Sequence, residues 1–484
     1  MKRQDHTALL DKLAEEYARY SPKSAALNER ALQVMVDGGS HNLRLIQPFP
    51  PRLVSAQGGW VKDEDGHAIL DFWQGHHANI LGHNPDVITS VLARAFESGY
   101  GLQTGMTERV QIEAAEILCR QTGAERVRFT TSGATATMYS ILLARAFTGR
   151  ELVMKVGGGW HGAQPWALKG VHYGTEAEPW RVESLGLPAG LTQQVLVTRY
   201  NDPEMLRDHF RQHGDRLACF IVEPFMGAGG FIFATPEYLR TARELTTQYG
   251  VVLIFDEVIS GFRFRAGNLC ALYGIQPDLA TFAKIIGGGM PVAAVAGRAE
   301  IMKLCGRECG YKVRAPGGTY SGHPAAMLAG KTLMTYLVEH EQEIYPRIAR
   351  LGEEARRIAE KAFAEEGIYM RCTGYPAKVA GSGDAVLCGS SVAVPQFPYD
   401  EGGELIRPED VNDPALCDVV IRDKVLQLAL LLENVHVVHG GGSVSAAHTE
   451  ADIAFFGEAC RRVARRIKAC RAHVKNLTPQ LLRN

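Results

Sequence analysis

The sequence predicts an α/β protein, with a mainly parallel, helix-covered sheet in a large domain and a smaller α+β domain after it. Three observations carry that reading. VVLIFDEVISGFRF (Val251–Phe264) opens on five consecutive apolar residues without alternation, the pattern of a strand buried on both faces of a parallel sheet. Strands are expected also at Val127–Thr130, Leu152–Val156, Val195–Val197, Ala218–Val222 and Leu279–Ala283, separated mostly by helical stretches. After Pro324 the pattern changes to long charged helices, Ala325–Glu339 and Glu341–Glu366, and then to a β-rich segment.

Taken in order, Thr7–Val36 carries a helical apolar pattern broken near Ser21-Pro22, which reads as an arm or lid. Gly38–Arg52 is irregular, and WVKDEDGHAILDFW reads as a hairpin turning at Asp63–Gly66. Between Asn84 and Cys119, helical patterns are interrupted by the glycine-rich GYGLQTGM. Late in the chain, SSVAVPQFPYDEGGELIRPEDVNDPA is dominated by proline, glycine and acids and is read as a loop. A closing helix is expected from the Thr449 cap, with Asp452 at capping-box distance, past Arg466. The expected division is an N-terminal arm and hairpin over 1–83, a large domain over 84–323 and a small domain over 324–484.

The whole-chain properties exclude several classes of partner. A length of 484 residues exceeds a usual single core, so two lobes are expected. A formal net charge of −1 with no basic cluster argues against nucleic acid or an anionic membrane, and leaves a small molecule as the expected partner. No run of about eighteen apolar residues and no signal-type N-terminus is present, which makes a cytoplasmic soluble protein the expectation. The ten cysteines are scattered without C-x-x-C and read as reduced packing residues. Cys305 and Cys309 could share a helix face, but two ligands do not make a metal site.

The chemistry gathers at strand ends. Asp256 follows the Val251–Phe255 run, and Lys284 follows the next, just before three glycines that let something approach the backbone closely. Carboxyl ends of neighbouring parallel strands are where open α/β sheets bind ligands. A structural ion pair between Asp256 and Lys284 is the alternative. Against it stand Glu223, which ends another buried run in ACFIVEPF, and SGATAT (Ser132–Thr137), which opens a helix straight after VRFTT.

FDEVISGFR followed by K-x-x-G-G-G-M-P resembles the signature of the class III, fold type I pyridoxal-phosphate aminotransferases. RFTTSGATATMYSILLARAFTGR, the WHG of GGGWHG, EPFMGAGG, GGTYSGHPAAMLAG and VSAAHTEADI resemble, in order and spacing, its glutamate-semialdehyde aminomutase branch. The resemblance implies a homodimer using pyridoxal 5′-phosphate. Lys284 would hold the cofactor as a Schiff base and then move a proton as a free amine, while Asp256 would keep the ring nitrogen protonated. Ser132, Gly133 and Ala134, at a helix start, would cradle the phosphate, although S-G-A alone is more often an ordinary cap. Trp160 would stack on the ring, with ordinary core packing as its alternative, and Val258 would cover the other face. Thr319 would reach the phosphate in the neighbouring subunit, and Glu223 resembles an acid near the phenolic oxygen. His161 carries a motif match, with a hydrogen-bonded structural role as the simpler reading. Arg44 is the nearest match to an arginine that meets a substrate carboxylate, against a plain surface arginine.

Departures from the branch bear on substrate. The family's Asn-Ser-Gly-Thr-Glu-Ala is here Thr131-Ser132-Gly133-Ala134-Thr135-Ala136, so the phosphate would lean on Ser132 and backbone. The loop before VSAAHT lacks a bulky aromatic and an acid, reading HGGGSVSAAHT, and His76 or His77 replaces a tryptophan ahead of LGHN. These changes argue against a strict aminomutase, whose pocket must retain a diamine intermediate. The expected activity is amino transfer between a donor, carboxylate-bearing on the strength of Arg44, and a keto or aldehyde acceptor. An aminomutase or racemase is the alternative, and a cofactor-binding protein without turnover a third reading that retention of Lys284 and Asp256 opposes.

Overall fold

The computed structural model describes residues 5–172, 180–375 and 389–481. Two helices, Thr7–Tyr20 and Pro22–Leu32, form the arm and meet at Ser21, where Pro22 starts the second helix at a position that needs no N–H. Strands β1 (Leu53–Gln57), β2 (Trp60–Asp63) and β3 (Ala68–Asp71) form an antiparallel meander, the last two being the expected hairpin.

The large sheet is built from β4 (Arg126–Thr130), β5 (Leu152–Val156), β6 (Val195–Thr198) and β7 (Leu217–Val222), then β10 (Val252–Asp256), β11 (Leu279–Phe282) and β12 (Ala293–Gly297). A small hairpin, β8 (Phe225–Met226) and β9 (Ile232–Phe233), lies between β7 and β10 in sequence. The spatial order is β4-β12-β11-β10-β7-β5-β6, and β12 runs antiparallel to both its neighbours while the other six share one direction. Every residue of β5, β7, β10, β11 and β12 is buried, as unalternating apolar runs require. Helices such as Gly133–Thr148, Pro203–His213 and Pro236–Tyr249 connect the strands.

Beyond Pro324, helices Pro324–Glu339 and Glu341–Ala364 precede a three-stranded antiparallel sheet of β13 (Arg371–Thr373), β14 (Val392–Gln396) and β16 (Gly442–Ser443). β15 (Val435–His436) instead joins β3 in parallel, tying the late chain to the N-terminal meander. The final helix, Glu450–Leu481, opens on a reciprocal capping box, with Asp452 Oδ2 accepting from Thr449 N–H at 2.8 Å and Thr449 Oγ1 from Asp452 N–H at 3.2 Å.

The loop expected over SSVAVPQFPYDEGGELIRPEDVNDPA is a correction. Val392–Gln396 is a fully buried strand, and Pro408–Asn412 a short helix. Proline is tolerated in this strand because β16 pairs only with Val392 and Ala393, so no second ladder needs an N–H from Pro395. Cys388 lies outside the described residues, and the other nine cysteines are free thiols. Among the described residues, no helix is long and apolar enough to cross a membrane, and no cluster of His, Cys, Asp and Glu could hold a metal.

Candidate active site

Six strands delivering their carboxyl ends to one edge create a cavity of about 740 Å³. Asp256 is the last residue of β10 and Glu223 follows β7. Lys284 follows β11, and Ser132–Ala134 lie between β4 and the next helix. All of them line the cavity, together with Trp160, Val258 and Arg44. Nine of the eleven residues the sequence singles out thus line one cavity, and a tenth, His76, is hydrogen-bonded to Arg44 at its rim. The exception, Thr319, is exposed and does not line this cavity.

Lys284 is half-buried and takes a left-handed backbone (φ 51°), an unusual state for a side chain with a Cβ and one that recurs at functional sites. Its surroundings lower its pKa: burial dominates, Arg263 adds to it, and Asp256 and Glu223 oppose it. Asp256 is buried, and its carboxylate takes three hydrogen bonds and keeps acceptor capacity on Oδ2. Oδ2 lies 2.8 Å from His161 Nδ1, and Oδ1 accepts from Val258 N–H at 3.0 Å and Thr281 Oγ1 at 3.1 Å. His161, without a derivable role from sequence, is therefore part of the site. Burial lowers its pKa against the pull of Asp256, so Nδ1–H donates to the carboxylate and the buried Nε2 is left without a partner. Only its place beside Trp160 hinted at this.

Glu223 straps backbone, Oε1 accepting from Trp160 N–H and Oε2 from Gly227 N–H, both at 3.0 Å. Burial, and then Asp256, push its pKa up. Trp160 is 44% exposed, so it is not core, and its ring is free to meet a ligand. At the helix start, Ser132 Oγ accepts from Thr135 N–H at 3.2 Å as a true cap, and a Cβ at Gly133 would sit 3.1 Å from both Val258 methyls. The first helical N–H groups remain available to an anion.

At the cavity's rim, Arg44 Nε donates to His76 Nε2 at 3.3 Å, and His41 packs edge-on against the same imidazole with centroids 4.3 Å apart. Burial, with His41 and Arg44 next, lowers the His76 pKa to about 3, so it stays a neutral acceptor. His76 sits in a run of four left-handed residues, Gln74 to His77. His77 instead turns inward to Ser443 Oγ at 2.9 Å, so of the two histidines it is His76 that meets Arg44 at the rim. His439 lines a separate cavity.

An amine, a buried and firmly oriented carboxylate beside an orphaned imidazole nitrogen, an open helix N-terminus and an unpacked indole around one cavity fit a phosphorylated aromatic aldehyde. The comparisons agree. The sequence model of the aminotransferase class-III family matches residues 46–365. A glutamate-1-semialdehyde 2,1-aminomutase of Halobacterium salinarum is 33% identical over 446 residues, covering 89% of this chain and 96% of its own. Among solved structures, an omega-transaminase from Sphaerobacter thermophilus aligns with a TM-score of 0.81 at 30% identity, covering 92% of this chain and 97% of its own. A beta-phenylalanine aminotransferase from Variovorax paradoxus aligns with a TM-score of 0.80 at 28% identity, covering 95% and 97%. With fold, site and sequence pointing the same way, this chain belongs to the class III aminotransferases, enzymes of fold type I that depend on pyridoxal phosphate.

Proposed function

We propose that the protein moves an amino group between a carboxylate-bearing amino donor and a keto or aldehyde acceptor. The observation that carries this is the shared cavity of Lys284, Asp256 and Arg44, which puts a base, an anion and a carboxylate receptor around one volume. Bound pyridoxal phosphate supplies an aldehyde for the amino group and a ring that withdraws electrons from the substrate carbon. The chain's own residues do the rest. Lys284 would hold the cofactor and, as a free amine, would take and return a proton at the substrate carbon, a task eased by its lowered pKa. Asp256, oriented by His161, Thr281 and Val258 N–H, holds a proton on the ring nitrogen. Ser132, Gly133 and Ala134 would receive the phosphate, Trp160 and Val258 would pack against the ring, and Glu223 would serve its phenolic oxygen, all from the lining of one cavity. Arg44, held by His76, turns the substrate carboxylate toward the rim.

The working unit in this reading is a homodimer in which Thr319 serves the neighbouring site. Tyr320 (61% exposed) beside Thr319, Leu102 (74%) and Met106 (77%) on either side of Gln103, and the Gln103 Nε2 to Thr319 O bond of 2.6 Å that links the two segments, support it. We place the boundaries between lobes at 83/84 and 323/324. Nine free thiols fit a reducing, cytoplasmic setting.

The test is the visible spectrum of the loaded protein as single amines are added. Bleaching of the yellow band by a carboxylate-bearing amine, reversed by one keto acid, is expected. A band that never bleaches while the amine exchanges its hydrogen with solvent overturns the reading in favour of a racemase. Conversion of an amino aldehyde without any acceptor overturns it in favour of the aminomutase, which the similarity to the Halobacterium salinarum protein favours.

A further inference from the structure

Lys155 sits in β5 with none of its surface exposed, and it does not line the cofactor cavity. A buried ammonium is costly unless its three N–H groups are met. Here Nζ donates to the carbonyls of Gly159 (3.0 Å), Ala167 (3.2 Å) and Lys169 (2.8 Å), with that of Gly170 at 3.5 Å. All four acceptors belong to the loop after β5, the loop that carries Trp160 and His161. Glu223, just past the neighbouring strand β7, accepts from Trp160 N–H at 3.0 Å.

The Gly159 carbonyl and the Trp160 N–H are the two ends of one peptide group. The Lys155 amine therefore meets its oxygen and the Glu223 carboxyl its nitrogen, both aligned with the peptide dipole and both anchored at adjacent strands of the sheet. Backbone bonds hold the preceding glycines, Gly157 N–H to Thr198 O at 2.9 Å, Gly158 N–H to Gly170 O at 2.9 Å and Gly159 N–H to Val156 O at 3.2 Å, but the Gly159–Trp160 peptide itself is met by Lys155 and Glu223. Gly157, Gly158 and Gly159 bring no side chains to pack, Gly158 is left-handed (φ 83°), and the Trp160 ring is 44% exposed.

We propose that Lys155 and Glu223 clamp the Gly159–Trp160 peptide, and that Lys155 is the positioning residue that sets the Trp160 indole over the cofactor cavity. The proposal rests on the reading of Trp160 as the cofactor's stacking partner. It assigns a purpose to a buried lysine that the chemistry itself does not use.

The test is a double-mutant cycle on cofactor affinity, read by titrating apoprotein with pyridoxal phosphate and following its absorbance, with thermal unfolding of the apoprotein alongside. Trp160→Ala is expected to weaken binding roughly tenfold, the scale of a lost aromatic contact. Lys155→Gln is expected to weaken it by a similar factor, and the double variant by no more than about twofold beyond Trp160→Ala, because the lysine acts through the ring. Losses that multiply, or a Lys155→Gln protein that binds cofactor normally, overturn the clamp while leaving the stacking role intact. A Trp160→Ala protein with undiminished affinity overturns the stacking role first and the clamp with it. If Lys155→Gln does not fold, Lys155→Arg, which keeps the cation with different reach, carries the same cycle.

Discussion

Replacing Asp256 by asparagine removes a charge and almost no volume. The native carboxylate accepts from His161, Val258 N–H and Thr281, and among the described residues no cation is hydrogen-bonded to it. In the asparagine variant the amide oxygen can still accept from Val258 N–H and Thr281. The NH₂ would face His161, which can shift its proton to the now unpartnered Nε2 and accept at Nδ1. The hydrogen bonds therefore re-form, and apoprotein stability should change by no more than about 1 kcal/mol. Catalysis should not recover. An adjacent carboxylate raises the proton affinity of a cationic partner by about 1–3 pKa units, each worth about 1.4 kcal/mol. Losing it costs roughly 1.4–4 kcal/mol in the state that needs a protonated ring, a fall in kcat of roughly 10- to 1000-fold. The assay is kcat under saturating cofactor, with thermal unfolding of the apoprotein as the control. A variant within about threefold of wild type under those conditions would refute the assignment of Asp256 to the ring nitrogen.

Four further outcomes are expected. Borohydride treatment of the loaded protein should attach the cofactor to the peptide containing Lys284, and Lys284→Ala should show no attachment and no turnover; attachment elsewhere removes Lys284 from the mechanism. Arg44→Ala should raise KM for carboxylate-bearing donors roughly 10- to 100-fold, the scale of a lost charge-assisted hydrogen bond, while leaving amines without a carboxylate unchanged; an equal effect on both would make Arg44 structural. Asp71, whose pKa burial would raise, is held well below the usual range by His436 and His83 at 2.8 and 2.7 Å. A depressed folded pKa contributes stability above about pH 4 that is lost as pH falls, so melting temperatures measured from pH 6 to 3 should drop less steeply for Asp71→Asn than for wild type. Leu102→Asp combined with Met106→Asp should yield monomers in sedimentation, with cofactor affinity lowered by loss of the neighbouring Thr319; dimers that persist would place the interface elsewhere.

Some features were legible from local chemistry alone. Short strand-like runs located six strands of the large sheet within a residue or so: Leu217–Val222 and Val252–Phe255, buried on both faces, read as unbroken apolar runs, while the partly exposed Arg126–Thr130 alternates. Proline at the first helical position and a threonine–aspartate pair three residues apart marked helix starts, because caps are satisfied within a few residues. The placement of Asp256, Glu223 and Lys284 followed, since residues just past parallel strands must share an edge.

Other features have partners far along the chain. The antiparallel β12 slots between β4 and β11, and nothing in AAVAG says which neighbours it will have. The Asp256 partner His161 is 95 positions away, and the Arg44 partner His76 is 32. The strand Val392–Gln396 was hidden by its proline and by the acidic segment after it, and its burial is decided by β13 and β16 closing over it. Gln74 to His77 take left-handed conformations that glycine favours at only one of the four positions, held by Asp71 accepting the N–H groups of Trp73 and Gln74. The sequence by itself determined the elements and the residue types delivered to the sheet edge, because those depend on near neighbours. Which donor meets which acceptor there was decided only by the tertiary structure, because a buried polar group takes whatever partner the packed chain brings within about 3 Å.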